Sequence, residues 1–127
     1  MLQVFGIEAS RTSRTLWLCR ELGLAHEHVP VNYADPGTHT PEFLAASPNG
    51  KIPAIDDDGF HLTESMAINF YLARKQESPL LPKDIKLESQ VLQWSFWVMT
   101  EVEKPLLAVL QQRMPPLPDP ETPLKNL

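Results

Sequence analysis

Three short stretches hold the residue types from which a binding or catalytic site can be built. In Lys51-Ile52-Pro53-Ala54-Ile55 a proline interrupts an apolar run, where its missing N–H is costly inside a sheet. In the cis form, the Ile52–Pro53 bond bends the chain so that the N–H and C=O of Ile52 face outward, unpaired and open to a peptide. A trans proline on a sheet edge accounts for the same residues equally well. Beyond Pro53, Thr63, Glu64 and Ser65 open a helix. Free amides and the helix dipole favour an anion there. Ser65 adds a hydroxyl donor and Glu64 an acceptor for an ammonium, so the pair suits the two ends of an α-amino acid. Taken alone, it also reads as a capped helix with a solvated glutamate.

The third stretch is the elbow Ala9-Ser10-Arg11-Thr12-Ser13-Arg14. Hydroxyls and cations at a helix start can hold a thiolate. Lowering a thiol pKa by two units takes about 2.7 kcal/mol. A hydroxyl hydrogen bond to a charged partner supplies roughly 1.5–3 kcal/mol, and the dipole roughly 0.3–1 kcal/mol. The sum is adequate, although a polar loop with a serine cap fits the same letters.

The chain around these stretches must be able to position them. It has 127 residues, 43% of them apolar and 21% charged, which suits one ordinary globular core with little room for a second full domain. A net charge of −5 argues against non-specific nucleic-acid binding. The single cysteine, Cys19, excludes an internal disulfide, a thiolate zinc cage and CxxC chemistry. It reads as a small core residue. No apolar run reaches the roughly 18 residues of a membrane span, and the first residues carry no basic leader, so the expectation is a soluble cytoplasmic protein without membrane or nucleic-acid partners.

The elements follow from pattern. LQVFGI (2–7) reads as a strand and LWLCRELGL as a helix with Leu16, Cys19 and Leu22 inward. HEHVPVNY (26–33) reads as an edge strand, because of Pro30. Thr40-Pro41 opens a short helix over 41–47. KIPAI (51–55), a DDDG hinge (56–59) and FHLT (60–63) read as a hairpin. Thr63 then caps a helix with Ala67, Ile68, Tyr71 and Leu72 inward. The order βαβαββα predicts an α/β sandwich with a mixed four-stranded sheet. A linker (78–84) precedes a long helix carrying Leu87, Val91, Trp94, Val98 and Val102, capped by Asp84 and expected to kink at Pro105. Trp94, Phe96 and Trp97 on it need cover. The proline-rich residues 115–127 read as an extended tail.

In this order, residues 2–75 resemble the N-terminal, thioredoxin-like half of the cytosolic glutathione transferases. SRTSRTLWLCRELGL looks like that family's first loop and helix, PEFLAASPNGKIPAI like its second helix and cis-proline strand, and DDDGFHLTESMAINFYL like its hairpin and glutathione-binding helix. NGKIPAI followed by TESMAI at this distance is the specific part. The resemblance implies a thioredoxin-like domain over 1–77 and, over 85–114, the first helix of an incomplete all-helical domain, as in a truncated chain. It implies glutathione as co-substrate, with no metal, and a transferase that presents the thiolate to a small electrophile, in a cytoplasmic, detoxifying homodimer.

Residue by residue, the resemblance makes Ser10 the hydroxyl that stabilises the thiolate, with Ser13 as the alternative. Ile52, before Pro53, pairs with the cysteinyl unit; Glu64 and Ser65 take the γ-glutamyl ammonium and carboxylate; Lys51 reaches for the glycyl carboxylate. Arg11 is assigned positive potential near the sulfur. Met66 departs from the polar or basic residue often found at its position. A non-catalytic binding or dimerisation module, or an inactive fragment, is the alternative, and a thiol reductase is disfavoured by serine where such chemistry needs cysteine. His26 and His28 share a strand face but lack a third metal ligand at suitable spacing. Asp56, Asp57 and Asp58 lack a calcium-loop pattern.

Overall fold

The computed structural model describes residues 1–113, so the expected tail at 115–127 lies outside the described residues. The chain divides into two units, the first spanning Met1–Asp84 and the second beginning at Ile85.

In the first unit, β1 (Leu2–Phe5), β2 (Glu27–Val29), β3 (Ala54–Asp57) and β4 (Phe60–Thr63) form one sheet in the order β2-β1-β3-β4. β1 pairs with β2 in parallel and with β3 antiparallel, and β3 pairs antiparallel with β4. Helices α1 (Thr12–Glu21), α2 (Pro41–Ala46) and α3 (Ser65–Lys75) complete the βαβαββα succession. This is the mixed four-stranded sheet that the pattern predicts, arranged as the thioredoxin-like resemblance implies. Val4, Leu16, Cys19, Ile55, Ile68 and Leu72 make one apolar cluster, on the side of α1 and α3. Phe5, Val31, Phe43, Ala46 and Ala54 make the other, on the side of α2. Burial raises the Cys19 thiol pKa to about 11.

Several expected boundaries move, each for a local reason. β2 stops at Val29, because Pro30 has no N–H for the ladder. The hairpin turn is only Asp58-Gly59, whose φ values of 53° and 89° match the two-residue turn that suits twisted strands. Asp56 and Asp57 therefore belong to β3 rather than to a hinge. Thr40 caps α2 as expected, its side chain accepting the Phe43 N–H at 3.2 Å. Thr63 does not cap α3. It is held in the ladder opposite Ala54, and Glu64 takes the cap position without a side-chain cap bond. The buried face of α3 is Ser65, Ile68, Leu72 and Ala73, while Ala67 is exposed.

Tyr71 is half-buried because its hydroxyl donates to Asp57 Oδ2 at 2.6 Å. Lys75 Nζ donates to the same oxygen at 2.5 Å. These bonds, the Lys75 one foremost, hold the Asp57 carboxyl below its usual 3.8. A depressed folded-state pKa means the contribution is complete above 3.8 and is lost as pH falls through the folded value. Asp57→Asn should therefore lower stability at pH 7 by about 1–2 kcal/mol, discounted for the half-exposed lysine. The gap to the parent chain should narrow progressively as pH falls below 3.8. Urea unfolding at pH 7 and at a series of pH values below 3.8 checks this, and a gap that does not shrink with falling pH would contradict it.

In the second unit, α4 (Ile85–Trp97) runs into a π-helical turn (Val98–Val102) and then α5 (Glu103–Arg113). The irregular turn precedes Pro105 instead of centring on it. Pro105 cannot donate to the carbonyl of Glu101, and Glu101 lies within the wide turn. Trp94 and Trp97 pack edge to face at 5.6 Å and, with Phe96, remain largely exposed.

Candidate functional site

The elbow after β1 is organised by Ser10. Its Oγ donates to the Ile7 carbonyl at 2.7 Å and accepts the Thr12 N–H at 3.1 Å, which satisfies one of the free amides at the start of α1. Thr12 Oγ1 lies 2.9 Å away. Ser13 is exposed and spends its hydroxyl on the Ser10 carbonyl at 2.8 Å. Arg11 is exposed at the N-cap of α1, just before Thr12.

Ile52 and Pro53 reach this elbow through Gly6. The Ile52–Pro53 bond is cis. A Cβ placed on Gly6 would lie 2.0 Å from Thr12 Oγ1 and 3.0 Å from Ile52 Cβ, so the elbow and the prolyl strand meet over that glycine. The main chain of Ile52 forms no hydrogen bond among the described residues. Just before it, the fully buried Ser47 braces the turn. Its Oγ donates to the Lys51 carbonyl at 2.7 Å and accepts the Lys51 N–H at 3.1 Å. Lys51 is exposed.

Glu64 and Ser65 are joined to the elbow by α1. Arg14 Nη1 donates to Ser65 Oγ at 3.2 Å. One turn deeper, Thr15 Oγ1 donates to Asn69 Oδ1 at 3.1 Å, and Asn69 Nδ2 donates to the Arg14 carbonyl at 3.4 Å. These bonds pin the N-terminal turns of α1 and α3 together. Glu64 is exposed with φ +71°, a conformation that costs a non-glycine residue on the order of 1–3 kcal/mol and that recurs at binding sites. Ser65 is buried.

The elbow, Ile52 and Ser65 are thus tied to one another through Gly6 and through α1. Asn69 escaped the sequence reading, and Thr12 and Arg14 entered it only as members of the elbow, without these partners. Thr12 had a signal, since it precedes Leu16 and Cys19 at helical spacing on the inward stripe; a polar residue in that place asks for a buried partner. Arg14 and Asn69 had none, because their partners lie on another helix. His26 and His28 each bond a main-chain carbonyl, of Leu24 at 2.9 Å and of Gly6 at 2.7 Å. Among the described residues no group of three His, Cys, Asp or Glu is placed to hold a metal ion.

Residues 1–74 match the family described as glutathione S-transferase, N-terminal domain. The chain belongs to the glutathione S-transferase family. It is 34% identical over 110 residues to glutathione S-transferase F9 of Arabidopsis thaliana, covering 84% of this chain and 51% of that one. Glutathione transferase F7 of Populus trichocarpa superposes with a TM-score of 0.77 at 32% identity, covering 90% of this chain and 56% of that one. Glutathione S-transferase-I, solved with lactoylglutathione bound, superposes with a TM-score of 0.79 at 31% identity, covering 87% and 54%. The chain thus spans about half the length of these relatives.

Proposed function

We propose that this chain binds glutathione and holds its sulfur as a thiolate for attack on a small electrophile. The observation that carries this reading is the unpaired main chain of Ile52, beside a cis proline and in contact over Gly6 with the elbow that contains Ser10. The cysteinyl unit of the tripeptide pairs with Ile52 as an added strand would. Ser65 and the amides at the start of α3 take the γ-glutamyl carboxylate, and Glu64 takes its ammonium. Lys51 is assigned the glycyl carboxylate. The lactoylglutathione bound in a solved relative is the same kind of ligand.

In this mechanism the thiol proton leaves to solvent, and the Ser10 hydroxyl turns from Ile7 to the sulfur anion, helped by the dipole of α1. Arg11 adds positive potential nearby. The thiolate then forms a carbon–sulfur bond while the leaving group departs with the electron pair. A cytoplasmic location, a detoxifying role and a homodimer belong to the same reading. No described helix is long and apolar enough to cross a membrane.

The family match to an N-terminal domain over residues 1–74 suggests one alternative, a module that binds glutathione without turnover. Retention on immobilised glutathione, combined with conjugation of an activated aryl chloride, separates the two. Retention with turnover is expected for the transferase, and retention alone for the module. A chain that neither binds nor reacts would end both readings.

A further inference from the structure

Thr12 stands at the start of α1 with no exposed surface. A buried hydroxyl requires a partner, and that of Thr12 has Ser10 Oγ at 2.9 Å. The same Ser10 oxygen accepts the Thr12 N–H at 3.1 Å. On its other side lies the Ile7 carbonyl at 2.7 Å, which can only accept and so takes the one hydrogen of Ser10. The Thr12 hydroxyl must then direct its own hydrogen at Ser10 Oγ. One residue thereby fills both lone pairs of the serine oxygen, leaving only its hydrogen able to turn.

We propose that Thr12 is a positioning residue that makes Ser10 a stronger and better-aimed donor, confining its hydrogen to two acceptors, the Ile7 carbonyl and the sulfur of bound glutathione. This rests on the role given to Ser10 under Proposed function. Two donors pointing into one oxygen polarise its O–H bond, with strengthening of perhaps 10–30% per bond in a chain of this kind. A charged sulfur then draws the hydrogen from a neutral carbonyl. Ser10 keeps its proton throughout, and the proton of the thiol goes to water. The Thr12 hydroxyl itself lies close over Gly6, where a single added carbon would come to 2.0 Å from it.

The test is the pKa of glutathione bound to the 127-residue chain, followed by thiolate absorbance. Thr12→Val keeps the shape and removes the hydroxyl; it should raise the bound thiol pKa by roughly half a unit to one unit. Affinity for the neutral thiol form should stay the same. Thr12→Ser should match the parent chain. Thr12→Ala makes the same deletion with a smaller side chain and bears the same expectation should the valine variant fold poorly. In a Ser10→Ala background, Thr12→Val should add nothing. An unshifted pKa in Thr12→Val and Thr12→Ala, an equal shift in Thr12→Ser, or full additivity with Ser10→Ala each overturns the proposal. If Ser10→Ala itself leaves the pKa untouched, the role of Ser10 fails and the role of Thr12 with it.

Discussion

Ser10→Ala is expected to raise the pKa of bound glutathione by about one to two units and to slow conjugation at neutral pH by roughly 10- to 150-fold. The range follows from losing one hydrogen bond to a charged partner, about 1.5–3 kcal/mol. Affinity should fall far less, because the proposed grip of Ile52, Glu64 and Ser65 on the tripeptide lies away from the sulfur. The variant also loses the bond from the Thr12 N–H, so a modest drop in stability of about 1 kcal/mol accompanies it. Ser13→Ala is the proper comparison, since its hydroxyl is already committed to the Ser10 carbonyl. Thiolate absorbance across pH decides between them. A large shift in Ser13→Ala with none in Ser10→Ala would transfer the role to the other serine.

Gly6→Ala should damage the fold more than any substitution at the surface. Its new Cβ would approach Thr12 Oγ1 to 2.0 Å and Ile52 Cβ to 3.0 Å, at a backbone φ of +135° that L residues rarely adopt. Thr12 is fully buried and has nowhere to retreat. Overpacking and backbone strain together amount to about 3–5 kcal/mol, a large fraction of the 5–15 kcal/mol that holds a typical domain. Gly59→Ala isolates the backbone part. Gly59 also has positive φ, +89°, yet nothing lies within 4 Å of its added carbon, so about 1 kcal/mol is expected. Chemical unfolding of both variants tests the contrast, and equal losses would refute the close approach at Gly6.

The order of elements was legible because its signals are local. Thr40-Pro41 announces α2 through capping and a fixed φ, and the apolar spacing of Leu16 and Cys19 announces the buried face of α1. The start of α3 was not legible in the same way. Thr63 has the right side chain for a cap, but its main chain is claimed by Ala54 across the hairpin, a partner that capping rules do not see. Asp57 looked like turn material by propensity. Tyr71 and Lys75, about two and three turns along α3, hold its carboxylate within β3 instead. The same limit applied at the candidate site. Ile52, Pro53, Glu64 and Ser65 announce themselves by type and spacing, whereas the bonds that draw them together, from Arg14 to Ser65 and from Thr15 to Asn69, join residues more than 50 positions apart.

Cys19 has a bearing on survival. A protein read as working beside alkylating compounds is exposed to them itself, and free sulfhydryl groups are the natural target. This chain has a single one, walled inside the first apolar cluster and with a pKa of about 11. At neutral pH only about one such group in ten thousand is ionised at any instant. Under the proposed function, the packing that builds the core also shields the protein's own sulfur from the electrophile and so suppresses self-inactivation.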